Sequence, residues 1–484
     1  MSTKQVFSRG LLCLLIQALL GACQQDPLDV CKAISEQISD ASSVIYPLHP
    51  QFGAEIHHWF LSSTQFPTCV VEVGSTEDTA IAIKLIAASR TPFAVRSGGH
   101  ASNPGFSSTP GVHISLSRIN QVSLSQDNST VEIGTGLAWA EVYEKLQDTG
   151  YNAVGGRVPG PGVGGVTLGG GYSWKTNQYG LTCDTLKSFE LVLPNGSISR
   201  IDASQPDIFF ALKGGLNRFG IVTSLELSTH EQSPKVYGGF TIYGTTEVDK
   251  VLNATAIFDA ENTDPKAQII TTLSGAVTGV TALVLFFYDG PDRPESFAPF
   301  DDLLITISTV KSQTFSDFVK GIPSELAINA RGAFHTMSTS SLTPKFLDAV
   351  KNETEVLGKF MALHSGTVVS YDIEPFLHNF GEKATDSAFP HTQSPLPLNL
   401  YFAWISEADD DFWHDAMRTS AETLVNVAIK EGIYLEEFTM YPNYALFDTS
   451  AEDLYGQRNA ARLRQIRERV DPEDVMGLAG GFMI

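Results

Sequence analysis

Basic residues are scarce in this chain. Lys and Arg number 32 against 54 Asp and Glu, a formal net charge of -22, and nucleic-acid affinity rests on Lys and Arg neutralising phosphates. Nucleic acid and anionic membrane surfaces are therefore set aside as partners. Long apolar runs are also lacking: the one from Leu11 to Leu20 is too short to span a bilayer. There is no internal repeat, no low-complexity tract and no polar tract of the disordered kind. A P-loop is excluded because no Gly-Lys-Ser/Thr follows the glycines, and the dinucleotide fingerprint of a Rossmann strand-to-helix turn is not matched in context. His57-His58 before Trp59 has no nearby carboxylate or Cys at ligand spacing and reads as a solvated or capping pair, and no metal is expected.

What is there is a chain of 484 residues, 43% hydrophobic and 18% charged, which is long enough for two domains and for burying a large cofactor. Lys4 and Arg9 precede the apolar run, and Gly21-Ala22 follow it, the pattern of a secretory signal over residues 1–22. The same residues with Cys23 also fit a lipoprotein cleavage site. Beyond the leader, an exported chain meets oxidising conditions, so a disulfide Cys31–Cys69 is expected, with Cys183 a buried free thiol. Sequons at Asn128, Asn195, Asn253 and Asn352 are compatible with N-glycans.

Strand and helix signals alternate from the start. Val70–Val73 reads as a strand, Asp78–Ala88 as a helix capped from Ser75-Thr76-Glu77, and Phe93–Val95 as a second strand. Further strands are expected at Val112–Leu116, Gln121–Leu124, Thr130–Ile133, Ser188–Leu193 and Ile221–Leu227, with Pro194-Asn195-Gly196 a turn. Between about 235 and 430 strands such as Gly238–Tyr243 and Thr281–Tyr288 alternate with helices such as Pro344–Leu357, capped by Thr343. A helix is expected over Ala451–Val470, ended by Asp471-Pro472.

Two glycine segments carry the chemistry. Arg96-Ser97-Gly98-Gly99-His100 directly follows a strand, so a tight turn presents backbone N–H groups beside a basic side chain, which suits a pyrophosphate. From Gly155 to Gly171 glycine recurs among apolar residues instead of the serines of a linker, as in a loop pressed against a planar ligand.

These segments, with Trp174 to Asp184, Asp207 to Gly215, Asn217 to Thr223, Tyr441-Pro442-Asn443-Tyr444 and Gly480-Gly481-Phe482 after them, resemble the berberine-bridge-enzyme-like group of FAD-linked oxidases in the vanillyl-alcohol-oxidase superfamily. The resemblance is closest to fungal secreted members. It implies an α+β fold: a PCMH-type FAD-binding domain of two subdomains (23–234), a substrate domain with a large antiparallel sheet (235–434), and a segment returning to the FAD domain (435–484). His100 would bond to the 8α-methyl carbon of the flavin. Arg96, Ser97, Gly98 and Gly99 would hold FAD with it, as would Gly162, Gly164, Gly165, Thr167, Gly169, Gly170 and Gly171 of the glycine stretch. Ile221 and Val222 would lie in the cofactor domain. Many relatives form a second bond from a Cys that aligns with Val158, so attachment through His100 alone is expected.

With the flavin carrying the redox step, the protein must place a substrate C–H and manage the adjacent O–H or N–H proton. Tyr441, Asn443 and Tyr444 are the candidates; if the segment is extended, Asn443 shares a face with Tyr441 and not with Tyr444. The alternative for these tyrosines is closing the core at the domain junction. Relatives often carry Asp where this chain has Leu446, with Asp448 further on. Glu436-Glu437 reads as a solvated rim. The leading expectation is an oxidase of a small-molecule alcohol, amine or phenol-like carbon, with O2 as acceptor and a secondary metabolite as substrate. A flavin-dependent cyclase or pericyclase, a carbohydrate oxidase and a non-catalytic binding protein are the alternatives.

Overall fold

The computed structural model describes residues 26–324 and 329–484. The expected leader, with Lys4, Arg9 and Cys23, lies outside them. The first sheet has the order β1-β2-β4-β3, from β1 (Ser43–Ile45), β2 (Cys69–Glu72), β3 (Phe93–Arg96) and β4 (Val112–Ser115). The last three run parallel, and parallel strands need a crossover. The helix Thr76–Ser89 supplies it between β2 and β3; the Ser75 side chain accepts from Asp78 N at its start, and Ala80, Ile83 and Ile86 are buried. A disulfide joins Cys31, in the helix Pro27–Ser35, to Cys69 of β2, and Cys183 is free and buried.

The second sheet is antiparallel, in the order β5-β6-β10-β8-β9, built from β5 (Val122–Leu124), β6 (Thr130–Gly134), β8 (Leu186–Val192), β9 (Ile198–Asp202) and β10 (Ile221–Glu231), with β7 (Tyr151–Ala153) pairing β10. Gly196 adopts φ +74° in the turn between β8 and β9.

The third sheet is the large antiparallel one. It holds β11 (Val236–Tyr243), β12 (Ala267–Ala276), β13 (Gly279–Tyr288), β14 (Ile305–Ser308), β15 (Lys311–Gln313), β16 (Arg331–Thr339), β17 (Gly366–Ile373) and β18 (Leu396–Trp404). Their order is β14-β11-β13-β12-β17-β18-β16, with β15 also on β11. The period of two in β18 sorts its faces. Leu398, Leu400, Phe402 and Trp404 are buried under the helices Pro344–Phe360 and Asp410–Glu431, while Asn399, Tyr401 and Ala403 face the other way. That second face meets the first part of the chain: Tyr401 and Phe334 pack on Trp59 and Phe60.

The expected helix Ala451–Val470 is present but broken: Gly456 sits at φ +68°, ψ +161°, so two helical pieces meet there. After it the chain returns to the first sheet, where Val475, Met476 and Ala479 join the core around β2 and β4. Phe482 stands edge-on to Phe106 at 4.8 Å. Among the described residues, no helix is long and apolar enough to cross a membrane.

Candidate active site

His100 emerges from the turn at the end of β3. Gly99 has φ +70°, a conformation glycine adopts without strain, and Trp59 N donates to its carbonyl at 3.0 Å. The Trp59 indole stacks on the His100 ring at 5.1 Å and 12°. Gly160 lies against the other flank, so close that a Cβ there would overlap His100 Nε2. No described residue hydrogen-bonds either ring nitrogen. Burial, with the Arg96 guanidinium and His58 nearby, pushes the His100 pKa down to about 3. The imidazole is therefore neutral at any ordinary pH, with a nitrogen lone pair uncommitted.

The glycine stretch closes on this turn backbone to backbone. A side chain on Gly98 would strike Gly162 and one on Gly162 would strike Gly98 and Ser97, while Gly164 rests against Ser97 and Thr135. Gly155 and Gly156 leave room for the Trp139 indole, Gly169 for the Asn443 amide and Gly171 for Thr182. Most of these glycines thus answer to close packing within the protein, where a flat ligand was the expected reason. Gly165 is the exposed one, with nothing near its missing side chain. Thr167 Oγ1 donates to Val163 O at 2.7 Å, inside the short helix Val163–Leu168. Ile221 and Val222 are buried at the start of β10, where Thr135 Oγ1 donates to Val222 O at 2.7 Å.

Tyr441-Pro442-Asn443-Tyr444 is a tight turn closed by Tyr444 N to Tyr441 O at 3.0 Å, not an extended segment. Pro and Asn at its two central positions are favoured there. The turn sets the phenol rings of Tyr441 and Tyr444 edge to face at 5.0 Å. The two hydroxyls do different things. Tyr441, 3% exposed, accepts from Gly171 N at 3.1 Å and from Asn443 Nδ2 at 3.0 Å, which ties it to the glycine stretch. Tyr444 keeps accessible surface and stands between opposite charges. Arg157 Nη2 donates to its oxygen at 2.6 Å, and the hydroxyl donates to Glu374 Oε1 at 3.2 Å. Arg157 in turn grips Glu374 through both nitrogens, at 2.5 and 3.0 Å, with both side chains buried.

Burial works against the Arg157 charge, but the Glu374 carboxylate and the tyrosines more than offset it and hold the guanidinium protonated. Burial raises the Tyr444 phenol well above its ordinary range, and the Arg157 charge pulls it back. Tyr441 is raised by burial as well, against the bonds from Asn443 and Gly171. A ladder of rings joins this group to the histidine: His100 on Trp59, Trp59 on Phe334 at 5.9 Å, Phe334 on Tyr444 at 6.0 Å.

Other expected residues fall elsewhere. Leu446 is fully buried and Asp448 pairs with Arg418 at 2.7 Å, so neither serves the tyrosine pair. His58 is not solvated: it is 1% exposed, with Nδ1 on Ile56 O and Nε2 on Ser107. Burial lowers its pKa to about 4. His57 Nε2 meets Asn329 Oδ1. Glu436 and Glu437 are exposed on the rim of a cavity of about 740 Å³ that neither His100 nor Tyr444 lines. Arg157, Glu374 and Trp59 are the participants that sequence reasoning missed. Arg157 alone carried a signal, a charge within an otherwise apolar glycine stretch.

The FAD binding domain family matches residues 67–202. Over 440 residues the chain is 30% identical to an uncharacterized FAD-linked oxidoreductase of Arthroderma benhamiae, covering 86% of this chain and 87% of that one. It belongs to the FAD-linked oxidoreductases. Two solved structures share the fold. A berberine-bridge-enzyme-like protein of Physcomitrella patens gives a TM-score of 0.77 at 16% identity, covering 94% of this chain and 98% of that one. Glucooligosaccharide oxidase from Acremonium strictum, described with a 6-S-cysteinyl, 8α-N1-histidyl FAD, gives 0.76 at 18% identity, covering 93% and 98%. The residues of this FAD-linked oxidoreductase fit the cofactor. Arg96, Ser97, Gly98, His100, Val158, Gly160 and Val166 all keep accessible surface where the two glycine segments meet, beside the neutral histidine and the unpartnered Trp59 Nε1.

Proposed function

We propose that this protein is a secreted oxidase that holds FAD covalently through His100 alone and uses Tyr444 to take a proton from a small-molecule alcohol or phenol-like substrate. The observation that carries the reading is the Tyr444 hydroxyl, held between Arg157 and Glu374. Bound FAD would accept the substrate hydride and return both electrons to O2, giving H2O2. The chain's own residues do the rest. His100, neutral at ordinary pH, would hold the flavin through its ring nitrogen facing away from Gly160, in place of one hydrogen of the flavin methyl group, and the two electrons and two protons released by that exchange would end on O2. Tyr444 receives the substrate O–H proton as its own passes along the bond to Glu374. Arg157 stabilises the phenol oxygen while that happens, and keeps the carboxylate oriented. Tyr441 positions Gly171 and Asn443. Val158 supports a single link, having no sulfur to offer. The apolar leader, the Cys31–Cys69 disulfide and exposed sequon residues Asn195, Asn253 and Asn352 support secretion.

Acid precipitation of the purified protein tests the reading. A yellow pellet and a peptide with FAD mass on His100 are expected; colour left wholly in the supernatant ends the covalent claim. His100→Ala should lose its flavin on denaturation, and retained attachment would mean another residue carries it.

A further inference from the structure

The sheet face over the tyrosines carries a polar row that the proposed chemistry does not use. Three strands align it: Thr272 of β12 pairs with Asp372 of β17, and Asp372 with Asn399 of β18. Thr272 Oγ1 donates to Asp372 Oδ1 at 2.7 Å and Asn399 Nδ2 to Oδ2 at 3.0 Å. Both carboxylate oxygens are thus acceptors, and no cation touches them. Arg157, the cation whose charge bears on Asp372, is already spent on Glu374. Burial pushes the Asp372 pKa up, yet the residue keeps some accessible surface. Asp372 lies two residues before Glu374, whose carboxylate accepts from the Tyr444 hydroxyl at 3.2 Å, so the row runs up to the proposed proton acceptor.

A second observation points the same way. Asn399 is 4% exposed, and its Oδ1 has no hydrogen-bond partner among the described residues. A buried acceptor left unmade is costly, and a carboxylate without a counter-charge more so. Tyr401 and Phe334 stand on the same face next to the row and give it an aromatic wall. An ammonium group matches what is missing, since it brings a positive charge and three donors and needs no acceptor.

We propose that Asp372 and Asn399 anchor a protonated amine carried by the substrate, a short distance from the carbon whose hydrogen is removed beside Tyr444. This rests on the proposed function for its geometry, because it assigns the second contact of the same substrate. A neutral hydroxyl would satisfy Asn399 but leave the Asp372 charge unbalanced. An anion would be repelled.

Three probes of one shape separate these cases: tyramine, tyrosol and 4-hydroxyphenylacetate, titrated into the holoprotein at pH 7 and followed by perturbation of the oxidised flavin absorbance. Tyramine should bind about tenfold or more tightly than tyrosol, as for a charge-assisted hydrogen bond in a buried site. 4-Hydroxyphenylacetate should be weaker still. Asp372→Asn should bring tyramine within about threefold of tyrosol. Equal affinities, no binding of tyramine, or a preference that survives Asp372→Asn overturns the proposal. The wild-type series decides it even if the variant does not fold. The titration needs neither turnover nor the His100 link, so a wrong proton acceptor or a noncovalent flavin leaves its outcome readable.

Discussion

Glu374→Gln separates the two things Glu374 is asked to do. The carboxylate is 2% exposed, holds Arg157 at 2.5 and 3.0 Å, and accepts from Tyr444 at 3.2 Å. Glutamine is isosteric and its oxygen still accepts, but it carries no charge and cannot take a proton. Arg157 is then left as an uncompensated buried guanidinium, wedged 5.9 Å from the Tyr172 ring and 5.7 Å from Phe376. Removing one partner of such a pair costs about 3–5 kcal/mol, and for a cooperative unit of this kind each kcal/mol lowers the unfolding temperature by about 2–4 °C. A fall of at least about 6 °C is expected. Loss of the proton sink should also slow flavin reduction by about 10²–10⁴-fold. Both are measurable on one sample: unfolding by flavin fluorescence, and anaerobic flavin bleaching with whichever alcohol or amine reduces the wild type fastest. Pairing the change with Arg157→Met removes the stranded charge, and should restore most of the stability but none of the rate. Wild-type reduction by a destabilised Glu374→Gln would make the carboxylate a counter-ion only, and refute the relay.

The tyrosine pair divides in the same manner. Tyr444→Phe should slow reduction by about 10²–10⁴-fold with little change in stability, whereas Tyr441→Phe strands the Gly171 N–H and should cost about 1–3 kcal/mol with reduction within about tenfold. The reverse pattern would exchange their roles. Acid should weaken the fold through its buried histidines. Burial lowers His58 and His335 to about 4 and His113 to about 3. Between pH 6.5 and about 4 the unfolded chain binds protons that the folded chain refuses. The stability they contribute is present above pH 6.5 and lost as pH falls toward 4, while the raised Asp372 and Glu374 pull the other way. Unfolding temperatures from pH 7.5 to 4.5 should fall steadily; a flat profile would contradict the assignment.

Local chemistry was legible in the sequence wherever one stretch of chain decides it. Ser75 and Thr343 cap the helices they were expected to cap, and the turn at Gly196 and the strands around it follow from their own residues. The break at Gly456 and the turn at Pro442-Asn443 were missed, although a lone glycine in a helical pattern and a Pro-Asn pair carry those signals. What else escaped is nonlocal. Arg157 and Glu374 are 217 positions apart, and the row of Thr272, Asp372 and Asn399 exists only once three strands fix their register. Trp59 lies in a loop without periodicity, so nothing near it in the chain announces that it will stack on His100.

The turn at Tyr441–Tyr444 also dictates when the site can exist. Arg157 and His100 leave the ribosome early, but the phenol that Arg157 grips and the residues that cover the glycine turn, where Asn103 Nδ2 donates to Ala445 O, come from far later in the chain. A nascent chain stalled before residue 441 would expose a buried-type guanidinium and a bare histidine to water. Under the proposed function, cofactor attachment would thereby be tied to the finished polypeptide, and a chain that fails to place its tyrosine turn would stay colourless, a failure visible to the eye.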